Sequence, residues 1–264
     1  MGSSIVEGSF RDPSGFVFRQ DGTIYRQVNA CYAEDFDHLV ASGLYENLTR
    51  SGLLIRHREV SIPPPRPETA HRIIRPEAVP FVSYPYEWCF SQLRDAALAH
   101  LEVEGRAISF GMTLKDCSAY NILFIDSRPV LIDTLSFERY REGEPWVAYR
   151  QFCQHFLSPL ALISRTDVRL GQLLRVHIDG IPLDLASRLL PMRTRLSIPL
   201  LLHIHLHASF AKRAAVSRKI ARKAPPRLSR GSLESLVHGL QAAVDRLRWR
   251  PRDSYWVSYL FRSP

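Results

Sequence analysis

At 264 residues, with 45% hydrophobic and 23% charged side chains, the chain has the make-up of a globular protein with a substantial core, built as one large domain or two lobes. Its most apolar run, residues 196–206, contains a proline and two histidines and falls well short of the roughly 20 residues of a spanning helix, which excludes insertion into a membrane. The formal charge of +9 is unevenly placed: residues 208–233 hold eight Lys or Arg and no acidic residue.

Four cysteines, Cys31, Cys89, Cys117 and Cys153, show no CxxC spacing and no dense framework. The N-terminus lacks the basic-then-apolar order of a signal peptide. Together these predict reduced thiols in a cytoplasmic protein.

Taken in order, residues 14–29 alternate apolar and polar on both sides of Asp21-Gly22, a strong hairpin signal. Phe36, Leu39, Val40, Leu44 and Leu48 recur at helical spacing, predicting a helix over 33–52 that Gly52 stops. Residues 53–62 read as a strand, 63–67 as a proline-rich loop and 71–75 as a second strand. Residues 80–89 are dense in aromatics and broken by Pro85. Ser91 then suits an N-cap for a helix from Gln92 to about Phe110, with Leu93, Ala97, Leu101 and Ile108 as its buried side.

The chain is organised around residues 110–138. Two apolar runs, 122–125 and 129–132, flank the polar turn Asp126-Ser127-Arg128 and read as a hairpin. Asp116 and Asn121 precede the first strand and Asp133 follows the second, which gathers three oxygen-bearing side chains at one end of a small unit. Such a set suits deprotonating a hydroxyl and holding divalent metal ions against phosphate. The same residues also fit a structural hairpin whose Asp and Asn cap turns.

Beyond this hairpin, residues 147–157 read as a helix with a core side and a polar edge, and Pro159 begins another. Two helical segments over 167–191 are separated by Gly180-Ile181-Pro182; Arg169 and Arg175 could reach an acidic acceptor or simply be solvated. His203, His205 and His207 would share a face only on a strand, where three imidazoles can bind zinc; the surrounding context is helical and scatters them. Residues 212–223 carry paired cations at helical spacing, a feature that suits phosphate backbones, anionic lipid or plain solvation. They lack interleaved aromatics for stacking on bases, so nucleic acid is the weaker partner. From Ser232 a last amphipathic helix carries Leu233, Leu236, Leu240, Val244 and Leu247, and an aromatic tail follows at 254–261.

The order Asp, four residues, Asn, hairpin, Asp resembles the catalytic loop and metal-binding strand of the protein-kinase-like superfamily, in its small-molecule-kinase branch. The resemblance implies an α+β, two-lobed fold with a hairpin-rich N-lobe at 1–89 and a mostly helical C-lobe at 90–210. It implies ATP and Mg2+ as cofactors, Asp116 as the base for an acceptor hydroxyl, and Asn121 and Asp133 as metal ligands. Lys115, beside the base, would neutralise charge on the transferred group. Arg26 and Glu46 would replace the strand-lysine and helix-glutamate pair, with Arg26 the phosphate contact. Tyr84 and Tyr86, where such proteins join their lobes, would wall an adenine or else be ordinary core aromatics. The chain departs from the pattern at Leu114, where the family usually has His, and at Thr134-Leu135, where it often has Phe-Gly. The hairpin at 14–29 also has too few glycines to wrap phosphates.

A second resemblance runs through DPSGFVF at 12–18, PFVSYPYEWCFSQL at 80–93, LKDCSAYNI at 114–122, IDTLSFE at 132–138, YRQFCQHFLSPLAL at 149–162, RVHIDGIPLDLAS at 175–187 and LLHIHLHA at 201–208. These are similar to the N-terminal region of bacterial nodulation-type, or class I, methyltransferase proteins. That resemblance implies that residues 211–264, a basic linker and helix, would lead into a methyltransferase domain absent from this chain, in which no S-adenosylmethionine site is identified. The expectation is therefore a phosphotransferase acting on a small molecule or glycan-type precursor. The alternative is a non-catalytic docking domain of a methyltransferase system, with the last helix and tail as its docking surface.

Overall fold

In a computed structural model, which describes residues 4–7, 9, 12–209 and 228–249, the chain combines an antiparallel five-stranded sheet with a mostly helical remainder. The strands are β1 (Ser4–Ile5), β2 (Gly15–Gln20), β3 (Thr23–Asn29), β4 (His57–Glu59) and β5 (Ala70–Pro76), in the order β1-β2-β3-β5-β4. Asp21 and Gly22 both take positive φ, as a tight two-residue hairpin requires, and set the register Gln20 opposite Thr23.

The predicted helix over 33–52 is two helices, α1 (Ala33–Ala41) and α2 (Leu44–Arg50). Gly43 separates them at φ +84°, a conformation that side chains with a Cβ rarely adopt. The break lets α2 turn its Leu44 and Leu48 into the large core while α1 packs Phe36 under the sheet. The predicted strand over 53–62 is likewise divided. Only His57–Glu59 joins the sheet, whereas Ile55 N–H donates to Leu131 O (2.8 Å) and Leu131 N–H to Leu53 O (2.9 Å).

Helix α3 (Phe90–Ser109) begins earlier than its sequence suggests. Cys89, not Ser91, is the cap, and its N–H is taken by Gln92 Oε1 at 3.0 Å. Leu93, Ala97, Leu101 and Ile108 are all buried along α3. Past Gly111 come two short antiparallel pairs, β6 (Met112–Leu114) with β9 (Phe137–Arg139), and β7 (Ile122–Ile125) with β8 (Arg128–Leu131). Helix α4 (Tyr149–Phe152) runs through a π turn at Cys153–Leu157 into α5 (Ser158–Arg165). Further helices among the described residues are α6 (Leu173–Val176), α7 (Leu183–Leu189), α8 (Ile198–Leu200), which continues as a π turn to Leu206, and α9 (Arg230–Arg246).

One core cluster extends from Leu39 to Leu247, so the packing crosses the predicted boundary at residue 89. Leu233, Val237, Leu240 and Val244 of α9 are buried in it, and α9 packs chiefly on α3. The expectation that this helix offers a docking surface is thereby corrected: its apolar stripe is already used inside the molecule. No helix among the described residues is long and apolar enough to cross a membrane.

A fully buried carboxyl ties α3 to β6. Glu104 Oε1 accepts from Thr113 Oγ1 (2.6 Å) and Oε2 from the Leu114 N–H (2.7 Å). Burial pushes its pKa up to about 8, against the lowering effect of those two bonds. The folded state thus keeps a proton that the unfolded chain releases near the ordinary glutamate value, so stability from this group is complete at low pH and falls as pH rises toward 8. In Glu104→Gln, Nε2 can donate to the Thr113 oxygen while Oε1 keeps the Leu114 N–H, and urea unfolding should show a flatter stability profile between about pH 5 and 8. Leu240→Ala should cost about 2–5 kcal/mol in the same measurement, the range for truncating a core leucine. A loss below about 1 kcal/mol would show that α9 is not part of the core.

Candidate functional site

Alternation along β3 sends Arg26 and Val28 to the same face. Val28 packs there with Tyr32, Phe36, Ile74 and Leu135, which brings Arg26 to the segment that follows β8. Its Nη1 donates to Asp133 Oδ1 at 2.5 Å, and its Nη2 lies 3.7 Å from Asp12 Oδ2. The Arg26 and Asp133 side chains are each 15% exposed. Leu135 N–H donates to the same Asp133 oxygen, at 2.9 Å. Both bonds fall on Oδ1.

Asn121 ends the turn that leads into β7. Its backbone oxygen accepts from Ile132 N–H (2.8 Å) and its Nδ2 donates to Ser136 Oγ (3.3 Å). The hairpin β7-β8 therefore returns the chain to where it began, and Arg26, Asp133 and Asn121 are joined through the 132–136 segment. Asp116 stands at the start of the same turn, where its Oδ1 accepts from Ser118 N–H at 2.8 Å. That is the turn-capping bond open to an Asp in this position.

The amides of this turn are held one by one. Cys117 N–H donates to Gln151 Oε1 (2.6 Å), Ala119 N–H to His155 Nδ1 (3.3 Å), Tyr120 N–H to Ser118 Oγ (3.3 Å) and Asn121 N–H to Ser118 O (3.1 Å). Upstream, Leu114 N–H goes to Glu104 and Leu114 O accepts from Trp146 Nε1 (2.9 Å). Burial pulls the His155 pKa down to about 4, with Asp179 acting weakly in the other direction. The ring is neutral at ordinary pH, so Nδ1 accepts and the proton resides on Nε2. Gln151 and His155 are four residues apart on one helical run, and that i, i+4 pair of polar side chains is the signal in the sequence that could have found them.

Other expected site residues lie elsewhere or have other partners. Lys115 Nζ donates to Ser14 Oγ (2.6 Å) and sits 4.3 Å from the centre of the Tyr32 ring, so its charge is directed at those groups. The Tyr32 hydroxyl in turn donates to Phe137 O at 2.5 Å. Its pKa is raised well above the ordinary value by burial first, then by Asp133 and Asp35. Arg26 and Glu46 do not form the expected pair. Glu46, with its side chain 70% exposed, bonds Arg50 one helical turn away, because the break at Gly43 carries α2 off toward α3. Tyr84 and Tyr86 stack on each other (5.5 Å, 6°), and Tyr84 lies 6.4 Å from the Tyr120 ring beside Asn121. Nearby, Trp88 is buried against Phe124.

Among the described residues, cavities of about 510 and 170 Å3 are present, lined respectively by the 59–73 segment and by residues around Tyr86, Leu93 and Leu174. Neither is lined by Asp116, Asn121 or Asp133. Of the three histidines near the end of the α8 run, His203 and His207 both pack on the Tyr149 ring, whereas His205 turns to other partners. His203 Nδ1 meets Tyr149 OH (2.7 Å), and His205 bridges Ser187 Oγ (2.8 Å) and Thr194 Oγ1 (2.9 Å). No group of three or more His, Cys, Asp or Glu among the described residues is placed to hold a metal ion. Arg169 is bound by its neighbour Asp167. The basic stretch 212–223 and the aromatic tail 254–261 lie outside the described residues.

No protein-family model matches the chain. It is similar to nodulation protein NoeA of Rhizobium meliloti (strain 1021), with 33% identity over 265 aligned residues that take in 96% of this chain. The chain spans about half of that protein's length, 54%.

Proposed function

We propose that the chain is a kinase-like domain that binds ATP and magnesium and transfers a phosphoryl group to a small molecule or glycan-type precursor. The observation that carries this reading is the Arg26–Asp133 pair, which joins a cation of the sheet to the carboxylate after the hairpin, beside Asn121. The order of elements agrees with it: an antiparallel sheet interrupted by helices, a long helix, then the β6-β9 and β7-β8 pairs enclosing Asp116, Asn121 and Asp133.

The donor set suits magnesium. With Nδ2 on Ser136, Asn121 keeps Oδ1 for another partner, and Asp133 keeps Oδ2 because Arg26 and Leu135 share Oδ1. Carboxylate and amide oxygens are the ligands this hard cation prefers. A bound magnesium would neutralise charge on the phosphates. Asp116 would accept the proton of the acceptor hydroxyl, and the fastened turn would hold that carboxylate in place without reorganisation. Arg26 would hold Asp133 by Nη1, and a phosphate would have to compete with Asp12 for Nη2. Tyr84, 44% exposed, would offer a flat face to the base.

A second reading, a non-catalytic docking domain, is favoured by the same pair in another respect: Arg26 balances Asp133 with no metal needed. The two-residue turn at Asp21-Gly22 adds to it, since it provides no run of glycine amides for phosphates. The nodulation role in the relative's name, and a methyltransferase partner, extend to this chain as part of the proposal.

Calorimetric titration with ATP separates the two readings. Binding that requires magnesium and is lost in Asp133→Ala is the expected result, and its absence from the wild-type protein would leave the docking reading. Asp116→Ala should keep magnesium–ATP binding yet slow transfer to an identified acceptor by about 10²–10⁴-fold, the usual scale for a general base. Full transfer by that variant would remove Asp116 from the role.

A further inference from the structure

Near the end of the chain the molecule exposes an aliphatic row. Ile198, Leu202 and Leu206 are spaced four apart on one continuous helical run, and all three face out, while Leu200 and Ile204 between them are buried in the core. Met192 and Leu196, on the turn that leads in, extend the row; Leu196 is 86% exposed, and Met192 and Ile198 are 70% exposed. Single exposed aliphatics are ordinary, but five within fifteen residues, three of them four apart on one helical run, mark a contact surface. Arg193 and Arg195, exposed on the same turn, stand at its start and form no ion pair among the described residues.

Charge indicates what the row meets. By sequence, residues 185–233 hold eleven of the 35 Lys and Arg and none of the 26 Asp and Glu. The rest of the chain carries 24 cationic and 26 acidic side chains and is close to neutral. The whole positive excess therefore belongs to the part of the chain that carries the exposed aliphatic row. Aliphatic anchors next to Arg193 and Arg195, in a stretch of sequence without acidic residues, fit the boundary of an anionic bilayer, where hydrocarbon accepts the anchors and lipid phosphates the cations. Nucleic acid is the poorer match, because residues 185–233 contain a single aromatic, Phe210, on which a base would stack.

We propose that this row, Met192 to Leu206 with Arg193 and Arg195, seats the protein peripherally on an anionic phospholipid surface. The contact lies in the plane of the interface and does not span the bilayer, in keeping with the absence of a spanning helix among the described residues. It is independent of the phosphotransfer reading.

Vesicle co-sedimentation of the full chain tests it. At about 0.1 M salt the protein should pellet with phosphatidylcholine vesicles containing about one-third phosphatidylglycerol, and not with phosphatidylcholine alone. Leu196→Ser/Ile198→Ser/Leu202→Ser keeps every charge and changes only exposed positions, so its melting temperature should be preserved while vesicle affinity falls about tenfold or more. Arg193→Gln/Arg195→Gln should weaken binding less and reduce its salt dependence. No binding to the anionic vesicles, or binding that the triple variant retains in full, would overturn the proposal. Retention of a single-stranded oligonucleotide without vesicle binding would overturn it too, and would give the basic region to nucleic acid.

Discussion

A backbone turn can run through a protein interior only if each of its amides finds an acceptor, and this constraint shapes the centre of the molecule. The segment from Leu114 to Asn121 meets most of this requirement with acceptors from two helical runs, α3 and the run that begins at α4, from the Ser136 carbonyl and from its own atoms. Glu104 reaches from α3, Gln151 from α4 and His155 from the π turn. Each acceptor restricts where its helix can lie. The widened turn at Cys153–Leu157 is one consequence: it is the stretch of that helical run from which His155 meets Ala119.

The acceptors work because the interior keeps them in the right ionisation state. Burial holds His155 neutral, which frees Nδ1 to accept. It also favours the proton on Glu104, so that no unpaired charge is buried between α3 and β6. The mostly buried ion pair, Arg26–Asp133, sits where the sheet meets the hairpin, and its two charges compensate each other there. Exposed pairs such as Glu46–Arg50 and Asp167–Arg169 contribute little to stability by comparison. The polar interior thus aligns the candidate catalytic turn, while the surface charges are left to solubility and to the proposed lipid contact.

Local chemistry made much of this legible in advance. Asp21-Gly22 specifies a tight hairpin because both residues tolerate positive φ. The apolar runs on either side of Asp126-Ser127-Arg128 specify β7 and β8 in the same way. The spacing of Asp116, Asn121 and Asp133 around that hairpin was enough to expect Asn121 and Asp133 at one end of it, since a two-stranded unit returns its ends to each other. Other features escaped because they depend on contacts distant in sequence. Nothing near Glu46 shows that Gly43 will divert its helix, and nothing near Leu233 shows that α9 will spend its apolar stripe on α3.

By itself the sequence determined the antiparallel hairpins, the long helix α3, the cationic bias of residues 208–233 and the placing of Asn121 and Asp133 at the two ends of one hairpin. Each rests on periodicity, turn chemistry or composition, which act over a few residues. Tertiary structure alone decided that Arg26 meets Asp133 rather than Glu46, that Lys115 turns to Ser14 and Tyr32, and that Glu104, Gln151 and His155 hold the central turn. The physical reason is that a buried donor, acceptor or charge takes whichever partner the folded chain brings within bonding distance, and that choice is made by packing across 100 residues or more of sequence in the Arg26–Asp133 and Lys115–Ser14 contacts.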